Sequence, residues 1–496
     1  MRHISILTIA IFFFMFQTEA QETFFKIYNT LYFDQSFDAI ETLNGDYLII
    51  GERALSYLED STYGYILKIN AEGLFLQEAV VGDQGEWSRF SFIQRLTDIP
   101  DQYIIGGWSD SSNQGTIFNK MILQIIDEEL SVQSKTTFLS PPDYVYHPWK
   151  SQIILDSLLY ILSFYFPPGA NSQIAVTKVR LPYDSINSYH SPAISVHSPY
   201  DLLYMGSDSI FQVFYIGPLF KASIPSKILQ LDGNLNYITT LEGPPYILTS
   251  ICATQYNDTS FLLTGSGISP EYPAKQHIMV YLMNNNNDTL KKLEYFNHPD
   301  TILYAGGGTN TVINGESIFV TGIYNFDPSS SYLWQTTPTW IQITKTDMDL
   351  NIISHHFYGG DALYIPYAAI STSDGGVLIT GFTWDYTIPG NMLRDIFVLK
   401  VDTAGVVTNI SEEASWKMND AILYPNPGSD YFIAIVGAQH PQATLFLYDL
   451  NGRLVMERQL HQHQTRINTA FLPTGTYIYT FVTDGKGIGT GKWVKQ

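Results

Sequence analysis

The side chains that could do chemistry are few, and they are scattered. Asp347-Met-Asp349, with Asn351 following, places oxygen ligands at alternate positions as a calcium loop does, but the Gly and Glu that would complete such a loop are missing. His355 and His356 are adjacent, so on a strand they point to opposite faces and make a poor chelate. His461-Gln-His463 would share a face, on what reads as a solvated edge. Asp127-Glu128-Glu129 reads as a charged turn cap. There is no Gly-x-Ser-x-Gly elbow, His-Glu-x-x-His helix or Gly-rich Lys-Ser/Thr phosphate loop. A glycosidase needs two carboxylates at a fixed separation, and among 47 acidic residues the sequence singles out no pair. Cys252, the only cysteine, sits in apolar Ile251-Cys252-Ala253 and reads as buried filler; no intramolecular disulfide can form. No catalytic residue, metal site or cofactor is assigned.

What the chain does show is a repeated frame. Asp374-Gly375-Gly376 enters an apolar run that stops at Gly381, and a second run, Asp395 to Lys400, ends in the turn Asp402 to Gly405. The same unit recurs from Asn44-Gly45, Pro100-Asp101, Asp156, Ser207-Asp208, Asn257-Asp258 and Asn314-Gly315, most faintly in the third and fourth copies. Asn-Gly and Asp-Gly between apolar runs mark hairpins, because both turn residues must tolerate positive φ. Each unit reads as four strands, and the second strand is apolar without alternation, as when both faces are covered. The copies lie roughly 50 to 60 residues apart, a spacing at which propeller blades occur. A ring buries every sheet, whereas a linear stack needs polar end repeats that are absent here. The expected fold is all-β, a seven-bladed β-propeller over residues 21–410 with Phe24 to Tyr28 latching the last blade. The repeat resembles secreted bacterial propeller repeats of the form Asp-Gly-Gly, apolar run, Gly, then Asp, apolar run, Lys-apolar-Asp-x-x-Gly. Thr372-Ser-Asp374-Gly-Gly376 approaches the turn of sialidase-type propellers, but Leu378 and Ile379 replace its last two residues and no arginine triad is apparent. Gly306-Gly307-Gly308 reads as flexible punctuation between blades.

In such a meander the short turns share one rim, while the long second-to-third-strand loops and the blade connections share the other. That second rim is rich in aromatic residues. Trp87, Trp108, Tyr146, Trp149, Trp334 and Trp384 are its candidate binding residues.

Both ends of the chain concern delivery. Residues 1–20 read as a signal peptide: Arg2 and His3, then Ile4 to Phe16, then a small residue before Gln21. No later stretch is long and apolar enough to span a bilayer as a helix. The formal net charge of −21 argues against nucleic acid as a partner. Residues 411–420 look like a linker, and 421–496 carry six or seven short strands, expected to form a small Ig-like β-sandwich. Within them Tyr424-Pro425-Asn426-Pro427, then Asp449-Leu-Asn-Gly452-Arg453, then Gly475-Thr-Tyr477 form an ordered series that resembles the type A C-terminal sorting domain of the type IX secretion system. That resemblance implies export through the Gram-negative outer membrane by the type IX machinery, followed by release or by attachment to the outer-membrane surface once the sorting domain is removed. The expected function is a secreted or cell-surface binding module for glycan or protein at the long-loop rim. The alternatives are a polysaccharide hydrolase or lyase with carboxylates at the channel mouth, and a structural adhesion component.

Overall fold

The structure, a computed structural model, describes residues 21–408 and 421–495 apart from 29–31, 55–61, 83–85, 97–98, 100, 114–115, 141–142, 155–157, 170–171, 182–183, 192–197, 207–208, 217–225, 269–275, 296–301, 328–333, 389–391, 425–427, 437–441, 451, 463 and 484–485. The expected signal peptide, the linker and Pro425 to Pro427 therefore lie outside the described residues. Every regular element among the described residues is a β-strand.

Seven antiparallel sheets follow one another along residues 24–401. In the first, Phe33–Glu41, Tyr47–Ala54, Tyr63–Ile69 and Phe75–Val81 pair in chain order. Its opening strand starts earlier than the apolar pattern implies, because Asp34 is buried against Arg53 of its own sheet, Gln35 against Glu52 and Arg394, and Ser36 against Thr380 of the last sheet. The third and fourth units, faint in sequence, form complete four-stranded sheets as well. In the seventh sheet the fourth strand comes from the other end of the chain: Phe24–Tyr28 pairs antiparallel with Asp395–Val401.

The first strands of the sheets touch in a circuit. Phe33–Glu41 meets Trp87–Arg95, which meets Val145–Ile154, then Ser198–Met205, Ile247–Asn257, Thr311–Asn314 and Leu363–Ser371, which returns to Phe33–Glu41. Ser36 and Thr380 hydroxyls lie 2.7 Å apart across that return, and the Asp34 amide donates to the Arg394 carbonyl at 2.9 Å.

The second strands explain why they lack alternation. Every residue of Tyr47–Ala54 and of Val377–Trp384 is buried. Apolar side chains of neighbouring sheets meet on both faces: Ile49 and Leu67 against Ile396 and Val398 on one side of the first sheet, Leu48 and Ile50 against Tyr103 and Ile105 on the other. Fourth strands such as Val132–Leu139 face solvent and alternate. Burial at roughly 25 cal/mol per Å² of apolar surface makes these interfaces the principal source of cohesion.

The Asp-x-x-Gly turns have a second task. Asp402 takes the amide of Val406 on its side chain at 2.8 Å, as Asn70, Asp127, Asp232 and Asp347 do in their own turns. The turn carbonyls then accept from the preceding sheet: Tyr28 donates to Gly73 at 2.9 Å, Lys68 to Glu128 at 2.8 Å, Lys178 to Gly233 at 2.7 Å and Tyr358 to Gly405 at 2.8 Å. One motif thus caps a hairpin and fastens it to its neighbour. It also uses up the oxygens of Asp347, which take the amide and the side chain of Asn351, leaving a turn cap where a calcium loop was weighed.

Gly306-Gly307-Gly308 is a correction to the sequence reading. It interrupts the first strand of the sixth sheet, between Leu303–Ala305 and Thr311–Asn314, and packs on the seventh. A Cβ on Gly307 would lie 2.7 Å from the Tyr367 ring, and one on Gly308 would lie 2.4 Å from the Tyr367 carbonyl oxygen. Close approach, and not flexibility, requires glycine there.

Residues 421–495 form two further antiparallel sheets. Ala421–Tyr424, Tyr431–Val436 and Gln464–Asn468 make one; Leu454–Leu460, Ala443–Asp449, Gly475–Thr483 and Lys486–Lys495 make the other. They pack face to face through Phe432 and Trp493, edge-on at 4.9 Å. Asp449 caps its turn through the Arg453 amide at 2.9 Å while Gly452 takes φ 76°. Gly475 opens the strand in which buried Tyr477 donates to the Pro473 carbonyl at 2.6 Å.

Candidate functional site

A shared irregularity in the first strands builds the centre of the circuit. Pairing slips by one residue at Phe37, Ser91, Trp149, Tyr200 and Tyr367 in sheets one, two, three, four and seven. Sheet five slips twice between Ile247 and Cys252, and sheet six is broken at its glycines. A bulge leaves one residue unpaired and re-aims its side chain. Pro148, Pro199 and Pro366 stand directly before three of the bulged residues, where a missing N–H does least harm to the ladder.

Four of the five bulged residues are aromatic, and they meet around the circuit. Phe37 and Tyr367 pack edge-on at 5.2 Å. The Trp149 indole donates to the Tyr200 carbonyl at 3.2 Å, and the Tyr200 hydroxyl lies 3.1 Å from that of Thr249, which also accepts from Tyr304 at 3.0 Å. In the second sheet, where the bulged residue is only a serine, Arg89 fills the gap. Its guanidinium carbon is 4.7 Å from the Phe37 ring, 5.1 Å from Trp108 and 6.0 Å from Trp149. Arg89, Trp149, Tyr200 and Tyr367 are all half-buried.

One residue further along, the groups are charged. Asp38 accepts from the amides of Ala39 at 3.0 Å and Ile93 at 3.1 Å; Asp201 accepts from Leu202 and Ala253, both at 2.8 Å. Each carboxylate thereby ties its sheet to the next. Burial raises the pKa of both, opposed by the ammonium of Lys150, which reaches from the third sheet to the Thr309 hydroxyl of the sixth at 2.7 Å. Burial, with the Asp201 charge behind it, pushes the Cys252 thiol up to about 11, so it is no nucleophile near neutral pH. Both oxygens of each carboxylate are occupied by backbone donors, which makes this layer a strut holding the centre.

The residues proposed for the rim separate into groups. Trp87 is 49% exposed. The Tyr146 ring packs tilted on Tyr165 at 4.6 Å, and its hydroxyl meets His190 Nε2 at 3.0 Å. Trp149 is part of the centre. Trp108 is buried under His147, stacked at 3.9 Å, and His147 in turn meets Asp110 at 2.7 Å. Trp384 is buried edge-on against half-buried Trp334 at 4.7 Å. Arg89, Phe37, Tyr200, Tyr367, Lys150, Asp38 and Asp201 were not foreseen. The recurring Pro-Trp and Pro-Tyr pairs were the available signal.

Residues 422–496 match the family described as the secretion system C-terminal sorting domain. This defines a class of protein: one bearing a type IX sorting tail and hence exported to the cell surface or beyond it. No curated protein's sequence matches the chain. Among solved structures, it resembles a fungal alcohol oxidase with copper, at 9% identity and TM-score 0.41 over 94% of this chain and 99% of that one. It also resembles the polysaccharide lyase Uly1, at 8% identity and TM-score 0.39 over 74% and 90%. A third is an exo-beta-1,3-galactanase from Clostridium thermocellum, at 10% identity and TM-score 0.33 over 68% and 78%.

Proposed function

We propose that residues 21–410 are a seven-bladed β-propeller closed by the strand Phe24–Tyr28, and that 421–496 are an Ig-like sandwich directing its export. The circuit of first-strand contacts and the pairing of the chain's two ends in one sheet support the closed ring. On this reading the protein is a non-catalytic binding module, displayed or released outside the cell, that takes a glycan at the centre of its long-loop rim. The observation that carries it is the set of half-buried aromatic side chains Trp149, Tyr200 and Tyr367 at the bulges of the circuit, with the Trp149 ring 6.0 Å from the Arg89 guanidinium. Rigid rings with polar tips offer contact area at little conformational cost, worth roughly 0.5–1.5 kcal/mol per aromatic pair beyond burial. The test is a glycan array probed with the chain from residue 21 onward and with its Trp149→Ala, Tyr200→Ala form. The expected result is a defined set of bound glycans, lost by tenfold or more in the double variant. Capture that ignores the double substitution, or turnover of the bound glycan, would defeat the proposal.

A further inference from the structure

We infer that Arg89 is the receptor for the carboxylate of an acidic sugar; this rests on the rim being a glycan-binding face and names the ligand class. The other arginines near the circuit have acceptors. Arg53 is held by Asp34 at 2.8 Å and Glu78 at 3.1 Å, and Arg394 donates to Gln35 at 2.9 Å. Arg89 has three aromatic rings about it, and among the described residues it has no carboxylate partner; its Nε is buried without an acceptor, as are those of Arg95 and Arg394, which donate through their other nitrogens. The indole N–H of Trp108, whose ring lies beneath that guanidinium, is likewise buried without an acceptor. Both groups can only donate. The half-buried guanidinium can only donate, so a ligand that reaches its open edge must bring acceptors.

An anion meets that demand, and the chain's formal charge of −21 makes a fixed, unpaired cation at its centre unusual. A guanidinium matches a carboxylate with two parallel N–H···O bonds. The Trp149 ring beside the guanidinium suits the C–H face of a pyranose. Carboxylate and sugar ring occur together in a uronic acid. Arg89 and Trp149 are both half-buried, so a ligand can reach them from the rim.

The test is calorimetric titration of the chain from residue 21 onward with a uronic-acid oligosaccharide, its methyl ester and a sulfated neutral counterpart. The acid is expected to bind at least tenfold more tightly than the ester and more tightly than the sulfate. Arg89→Gln should remove that discrimination by lowering affinity for the acid at least tenfold, to the level of the ester, whereas Trp149→Ala should weaken acid and ester alike. Equal affinity for acid and ester in the unaltered protein overturns the inference, and needs no variant to fold. Preference for the sulfated sugar overturns the carboxylate assignment. Binding of esters and neutral sugars with no response to Arg89→Gln sinks this inference but spares the rim reading. Failure to bind any sugar, charged or neutral, sinks the rim reading itself.

Discussion

Replacing Lys150 with methionine is expected to destabilise the chain by about 3 kcal/mol near neutral pH. That is the low end of the range for leaving buried charge uncompensated, because Lys150 is only half-buried and acts on the two carboxylates through its charge without a direct ion pair. The change keeps the stem and removes the ammonium whose charge lowers the pKa of both Asp38 and Asp201. It also strands the Thr309 hydroxyl. The pH dependence gives the effect a signature. Both aspartates have folded-state pKa values raised above the usual 3.8, so their neutral forms are favoured by folding. Their contribution is present below that value and is lost as pH rises through the elevated one, where each must ionise in place. In the parent protein Lys150 offsets that loss. In Lys150→Met the loss is full, so the deficit should be greatest at pH 7 and shrink toward pH 4. Urea unfolding at both pH values measures it. A deficit independent of pH would mean that Lys150 acts by packing alone.

Deleting residues 419–496 is expected to stop the protein from reaching the cell surface or the medium, with the remainder folded and retained inside the outer membrane. The two final sheets have their own strand pairing, and Phe432, Tyr477 and Trp493 meet between them, although their apolar core is continuous with residues of the fifth and sixth sheets. Their removal therefore breaks no strand pairing of the first seven sheets. Trp493→Ala should produce a milder version of the same defect. It opens a cavity under a fully buried ring, a change that costs about 3–5 kcal/mol in comparable cores, and leaves the sorting domain largely unfolded. Fractionation into periplasm, surface and medium, with protease resistance as the folding check, reads both outcomes. Normal appearance of the truncated chain in the medium would contradict the sorting role.

The frame of this fold was legible because its turns are chemically demanding. Gly45 and Gly375 take φ of 83° and 88°, so Asn-Gly and Asp-Gly had to mark hairpins wherever they recurred. The unbroken apolar second strands announced cover on both faces. The terminal sheets were legible from the motif that Asp449, Gly452, Arg453, Gly475 and Tyr477 share with the sorting family. The centre was not legible, for two reasons. A bulge shifts side-chain direction by one residue, so strict alternation misplaces Phe37, Trp149 and Tyr200. And the environment of Arg89 is assembled from three successive sheets, so no spacing within one repeat predicts it. Trp108 and Trp384 were read as rim residues from a place in the long loops; the structure puts them in strands and covers each with a neighbouring ring, His147 in one case and Trp334 in the other.

The proposed closure of the seven sheets by the first strand is what the central strut and the proposed rim depend on. Hydrogen exchange on the chain with residues 21–28 removed tests it most directly. The account predicts that amides of Asp395–Val401 that face Phe24–Tyr28 lose protection, and that loosening spreads to Phe33–Glu41 across the Phe24 contact with Ile396 and Val398. Unchanged protection of Asp395–Val401 in the shortened chain would contradict a ring fastened by its own two ends.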